Sequence, residues 1–94
     1  MANYIARVEL HAANYNDYET LHAQMAQRGY ARTIVGSDNA TYQLPTGTYV
    51  MRNTNRTLQD ALNLAVASAN ATGRTSSIIV TDWTTATWQG LPPV

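Results

Sequence analysis

Asn3-Tyr4-Ile5-Ala6-Arg7-Val8-Glu9-Leu10-His11 alternates along its whole length. Tyr4, Ala6, Val8 and Leu10 fall on one face of an extended chain, and Ile5, Arg7, Glu9 and His11 on the other. The pattern predicts a strand with one apolar face for a core and a second face that carries charge. A strand of that kind belongs to a sheet covered on one side, as antiparallel sheets commonly are.

Working outward, Asn16 with Glu19 three residues later reads as a helix N-cap with its capping box. Tyr18, Leu21, His22 and Met25 follow at helical spacing. Gly29 suits the C′ position, with Tyr30 folding back on the last turn. Residues 30–35 are rich in strand formers, Gly36-Ser37-Asp38-Asn39 supplies a turn, and Ala40 to Leu44 resumes the strand pattern. Pro45-Thr46-Gly47 predicts a bulge or bend before Thr48 to Arg52, because proline cannot donate to a ladder. Residues 40–52 therefore read either as one bent strand or as two short ones. Thr57 with Asp60 opens a second helix, whose stripe of Leu58, Ala61, Leu62, Ala65, Val66 and Ala69 is small enough to lie close to a sheet, and Gly73 closes it. In the last strand, residues 75–83, the run Ile78-Ile79-Val80 predicts cover on both faces.

The fold class is thus α+β in the order β-α-β-β-α-β. Right-handed crossovers give the ferredoxin-like plan, a four-stranded antiparallel sheet with strands 1 and 3 central and two helices on one face, plus a C-terminal tail. Residues 1–83 form the domain. Residues 84–94 form the tail, read as an extra strand or a dimer arm.

The 94 residues suit one domain, and the absence of cysteine removes disulfides, thiolate metal sites and a cysteine nucleophile. The opening residues hold no apolar stretch long enough for a signal peptide, and nothing approaches the roughly 18 apolar residues of a membrane span, so a cytoplasmic protein without a membrane partner is expected. Formal net charge is zero, with six acidic and six basic residues. A strongly basic domain would advertise a nucleic-acid partner, and this one does not; no DNA partner is expected. Every basic residue is arginine, whose planar fork suits carboxylate and phosphate better than lysine does. Glycine-rich phosphate loops, nucleophile elbows and dinucleotide fingerprints are absent.

On the charged face of the first strand, Arg7, Glu9 and His11 form either a solvated or interface ion pair with a neighbouring histidine or a polar working surface. Glu9 and His11 have the chemistry of a general base and acid, or of two metal ligands. A metal site needs more donors than these, and His22 sits in the first helix among apolar neighbours, so no metal and no cofactor is expected. Asp82 approaches the first strand if the last strand is its antiparallel neighbour. Arg28, Arg32, Arg52 and Arg56 lie near element ends, as dispersed surface charges or as an RNA-binding patch with Tyr30 or Tyr49 for stacking. Trp83, Trp88 and Leu91 either fold over their own core or anchor a partner, and a homodimer built on them is expected.

The run Asn3 to Glu9, Asn14-Tyr15 and the Gly29-Tyr30 helix exit resemble the GhoS-type antitoxins of type V toxin–antitoxin systems. Val8-Glu9-Leu10-His11, Asp17-Tyr18, Leu21-His22, Arg28-Gly29, Thr41-Tyr42-Gln43-Leu44-Pro45 and Trp88-Gln89-Gly90-Leu91 are further segments of that likeness. The family is similar in fold to the small ferredoxin-like nucleases of CRISPR adaptation. The resemblance implies an endoribonuclease that cuts a toxin's messenger. It sets Glu9 where those nucleases carry an aspartate and His22 at a basic position of the first helix. The alternative from another class is a non-catalytic homodimeric protein-interaction module.

Overall fold

The computed structural model describes residues 1–94 as β1 (Ala2–Leu10), α1 (Tyr15–Gln27), β2 (Thr33–Val35), β3 (Thr41–Gln43), β4 (Thr48–Thr54), α2 (Leu58–Asn70) and β5 (Ser76–Asp82). The chain is α+β, with a three-stranded antiparallel sheet in the order β4-β1-β5 and a separate two-stranded β2-β3 sheet. No helix is long and apolar enough to cross a membrane.

β1 is the central strand because its alternation serves two different faces. Tyr4, Ala6, Val8 and Leu10 enter a core with Tyr49 and Met51 of β4, Leu21 and Met25 of α1, and Ala61, Ala65 and Ala69 of α2. The alanines leave room for α2 to lie against the sheet, and the large side chains come from β1, β4 and α1. There is no phenylalanine, so tyrosines fill the aromatic positions and each buried hydroxyl needs a partner. Tyr4 donates to the Arg56 carbonyl at 2.6 Å and Tyr30 to the Ala61 carbonyl at 2.8 Å, while the Tyr49 hydroxyl lies 2.7 Å from His22 Nδ1.

Helix ends follow side-chain chemistry. α1 is capped by Asn14, not Asn16: its side chain accepts from the Asp17 N–H, and Asp17 accepts from the Asn14 N–H. The same three-residue spacing occurs in both pairs, and the salt bridge from Arg74 to Asp17, 2.8 Å, adds to the earlier one. Gly29, with φ of +92°, closes α1 as expected, and the Tyr30 N–H returns to the Met25 carbonyl at 3.0 Å. Thr57 and Asp60 form the expected second capping box.

The middle of the chain departs from the expected four-stranded sheet. Ala31 exchanges two backbone bonds of 2.8 Å with Val50 on the outer side of β4. The chain then leaves the sheet, and residues 40–52 divide into two strands at Pro45-Thr46-Gly47. The β2-β3 hairpin folds over the face of the sheet opposite the helices. Ile34, Leu44 and Val50 form a second small core there, against which Ile5, Tyr42, Trp83, Trp88 and Leu91 pack. Gly47 makes the bend possible: its φ is +86°, its carbonyl accepts from the Val8 N–H at 2.7 Å, and a Cβ there would stand 2.5 Å from the Val8 carbonyl oxygen.

One further expectation is corrected. β5 is an outer strand covered on one face only: Ile78 and Val80 pack on the core, whereas Ile79 is 62% exposed. The tail packs on its own chain, where Gln43 N–H donates to the Pro92 carbonyl and Val94 N–H to the Thr41 carbonyl, at 2.9 and 3.0 Å. Trp83, Trp88 and Leu91, expected as dimer anchors, are half-buried against the hairpin.

Candidate functional site

The uncovered end of the open sheet face carries the polar residues. In the β1–β5 register Arg7 stands opposite Ile79 and Glu9 opposite Ser77. Residues paired in this way point to the same face, so Arg7, Glu9, Ser77 and Ile79 share a shallow hollow of about 290 Å³. His11 follows directly, where Ala12 at φ of +51° turns the chain away from β1. The imidazole is held from both sides, Nδ1 at 3.0 Å from Thr75 Oγ1 and Nε2 at 2.8 Å from Ser77 Oγ. A neutral imidazole has one donor and one acceptor nitrogen, and a hydroxyl serves either.

Arg7 and Glu9 do not form the ion pair that their spacing suggested. Arg7 donates to its neighbour's carbonyl, Val8 O, at 3.2 Å, and the salt bridge of the chain is Arg74–Asp17. Both side chains are exposed, and Glu9 makes no hydrogen bond to the protein. Asp82 is opposite Tyr4, at the far end of β1 from Glu9. His22 is on the helix-covered side, bound to Tyr49, where burial and then the Arg32 charge hold its imidazole below the ordinary value. No group of three or more histidine, aspartate or glutamate side chains is close enough to hold a metal.

A second concave site lies on the same sheet face, between the β2-β3 hairpin and the tail. This cleft of about 420 Å³ is walled by Tyr42, Trp83 and Trp88, with Arg52 and Asp38 at its polar edges. The Tyr42 and Trp88 rings are tilted at 58° with centroids 5.5 Å apart, and the Arg52 guanidinium lies 5.5 Å from the Trp83 ring centroid, a cation–π distance. The Tyr42 hydroxyl donates to Asp38 Oδ2 at 2.6 Å and the Ala40 N–H to Oδ1 at 3.0 Å. Those two bonds, the hydroxyl's first, hold the Asp38 carboxyl below its usual range. Gly36 keeps the corner open, since a Cβ would come 2.7 Å from Asp38 Oδ1 and 3.2 Å from both the Trp88 and Tyr42 rings. The indole Nε1 of Trp83 is buried with no acceptor in the protein.

The four arginines expected to bind RNA are divided between the two sides of the sheet. Arg52 alone lines the cleft. Arg28 folds back on Gln24, 2.7 Å from its Oε1, and Arg56 lies against Gly29 at the end of α1. Arg32 is near enough to His22 and Tyr49 to bias both. Thr75, Ser77, Asp38 and Tyr42 were not among the expected site residues. Antiparallel pairing of the first and last strands was the signal that sets Ser77 beside Glu9. Comparison with protein-family models, with curated proteins and with solved structures finds no match to this chain.

Proposed function

We propose that the chain is an RNA-directed protein of the GhoS antitoxin type, built on a ferredoxin-like plan, that cuts single-stranded messenger RNA on its open sheet face. The observation that carries this reading is the placement of an unpaired carboxylate, Glu9, opposite Ser77, whose hydroxyl fastens His11 at 2.8 Å. An acid and a base that share Ser77 as a neighbour, with Arg7 on the same face, match the needs of phosphodiester transfer. The aromatic cleft beside Arg52 supports the same reading, because single strands bind through stacking and phosphate neutralisation.

In the proposed reaction Glu9 takes the proton of a ribose 2′-hydroxyl. The 2′-oxygen attacks the adjacent phosphorus, the bond from phosphorus to the 5′-oxygen breaks, and the Ser77 hydroxyl gives its proton to that oxygen while taking one from Nε2 of protonated His11. Arg7 holds the extra negative charge that builds on the phosphoryl oxygens. The products are a 2′,3′-cyclic phosphate and a 5′-hydroxyl, with no co-reactant consumed. Analysis of the cut ends tests the scheme: cyclic phosphate ends are expected, and 3′-hydroxyl with 5′-phosphate ends would rule it out.

The second reading, a homodimeric interaction module, is favoured by one observation. β5 is an outer strand with an unpaired edge beside exposed Ile79, and such edges pair with other chains. Size-exclusion chromatography coupled to light scattering decides it, since a pairing edge gives twice the chain mass and a blocked one gives the chain mass.

A further inference from the structure

We propose that the cleft between the β2-β3 hairpin and the tail binds an unstacked guanine base. This rests on the RNA reading above and names the base that the substrate presents to the protein. Tyr42, Trp83 and Trp88 supply apolar, planar walls, and the Arg52 guanidinium, 5.5 Å from the Trp83 ring centroid, supplies a cation for the phosphate attached to the base. The volume, about 420 Å³, falls within the roughly 300–1,000 Å³ usual for small-molecule sites. Unpaired bases are recognised by stacking on aromatic and guanidinium planes and by bonds to their Watson–Crick edges.

Asp38 selects the base. An ionised carboxylate only accepts, through about four lone-pair positions, and the Tyr42 hydroxyl and the Ala40 N–H occupy one position on each Asp38 oxygen. Acceptor capacity remains on the carboxylate beyond these two bonds, and a carboxylate's two oxygens are spaced to take two parallel donors. Guanine alone presents two adjacent donors, N1–H and the N2 amino group. Adenine and cytosine set a lone pair beside their amino donor, and uracil flanks its N3–H with two carbonyls, so each meets the carboxylate with repulsion. The Asp38 side chain is itself fixed, since Gly36 leaves just the space it occupies beside Trp88 and Tyr42.

The cleft also has a geometric relation to Glu9 and His11. The Trp83 N–H donates to the Asn3 carbonyl at 3.0 Å, so the cleft opens beside the first residues of β1. His11 lies eight residues on from Asn3, just past the end of that strand, about 27 Å at the usual strand rise. A few nucleotides of extended RNA reach from a base in the cleft to a phosphate at Glu9.

Trp83 and Trp88 are the two tryptophans of the chain and both line the cleft, so tryptophan fluorescence, excited beyond tyrosine absorption, reports on this site alone. The unaltered protein is titrated with GMP, AMP, CMP and UMP, then with a uridine hexamer and the same hexamer carrying one guanine. The expected result is quenching by GMP and by the guanine hexamer with affinity about tenfold or more above the others. Asp38→Asn should level that preference while quenching persists. Equal response to all four nucleotides, or none, overturns the proposal, and needs no variant to fold. GMP binding without hexamer binding upholds the guanine site and counts against the RNA reading. Hexamer binding indifferent to guanine does the reverse.

Discussion

The Nε2 atom of His11 lies 2.8 Å from Ser77 Oγ, so the residue that follows β1 is fastened to β5 by a side-chain bond. With Thr75 Oγ1 at 3.0 Å from Nδ1, the ring has little freedom although it is exposed. Ser77→Ala frees one side of it. The expected outcome is a fall in RNA cleavage of about tenfold or more in kcat with KM little changed, since loss of the hydroxyl that passes the proton acts on the transition state. Denaturant midpoints should stay close to the parent.

His22 gives the fold a pH dependence of known sign. Its imidazole is held below its ordinary value, first by burial and then by Arg32, with Glu19 opposing. Proton binding therefore favours the unfolded chain. The stability tied to neutral His22 is complete above about pH 6.5 and is lost as pH falls through the depressed folded value. Urea midpoints measured from pH 8 downward should decline across this range, and His22→Gln should flatten the decline. Tyr49→Phe, which removes the hydroxyl 2.7 Å from Nδ1, should cost about 1 kcal/mol.

Gly47 and Gly73 share a left-handed backbone, at φ of +86° and +79°, in different surroundings. A Cβ at Gly73 meets nothing within 4 Å, and one at Gly47 meets the Val8 carbonyl oxygen at 2.5 Å. Gly73→Ala should cost about 1 kcal/mol from backbone conformation alone. Gly47→Ala should cost well over that, because the hairpin must shift off β1. Equal losses of stability in the two variants would contradict the tight approach of the bend to the strand.

Trp88 is half-buried against Tyr42 and the second core. Trp88→Ala should destabilise the chain by about 2 kcal/mol, below the 3–5 kcal/mol of a fully buried aromatic. Deleting residues 84–94 should lower stability further by uncovering the second core and the outer side of β3. It should leave the number of chains per particle, measured by light scattering, unchanged, because the tail packs on its own chain. A change in oligomeric state on deletion would contradict that packing.

What the sequence revealed was local in origin. The alternation of β1, the stripe of α2, the Thr57–Asp60 box and the Gly29-Tyr30 exit each depend on residues a few positions apart, where one backbone geometry satisfies all of them. The N-cap of α1 was missed because Asn14–Asp17 and Asn16–Glu19 carry the same spacing, and Arg74, 57 residues beyond Asp17, adds to the first pair alone. The hairpin over the open face was missed for a similar reason. A three-residue strand such as β2 pairs equally well with any neighbour, and its position is decided by Ile34 meeting Val50 and Trp88 across the fold. Ile79 shows the reverse: its apolar neighbours suggested a covered strand, and β5 lies at the sheet's edge. At the candidate site Glu9 and His11 were legible from their strand. Ser77, Thr75, Asp38 and Tyr42 were not, since hydroxyl and turn residues acquire a role only from what stands opposite them.

The central claim is that the Glu9 and His11 end of β1 cuts RNA. The direct measurement is cleavage of a pool of single-stranded and structured RNA by highly purified protein, beside Glu9→Gln and His11→Ala, each checked for folding by circular dichroism. The account predicts cuts in single-stranded RNA by the parent and a loss of at least about a hundredfold in either variant. Cuts that persist undiminished in Glu9→Gln, or a parent protein that neither cuts nor binds RNA in a salt-sensitive way, would contradict it.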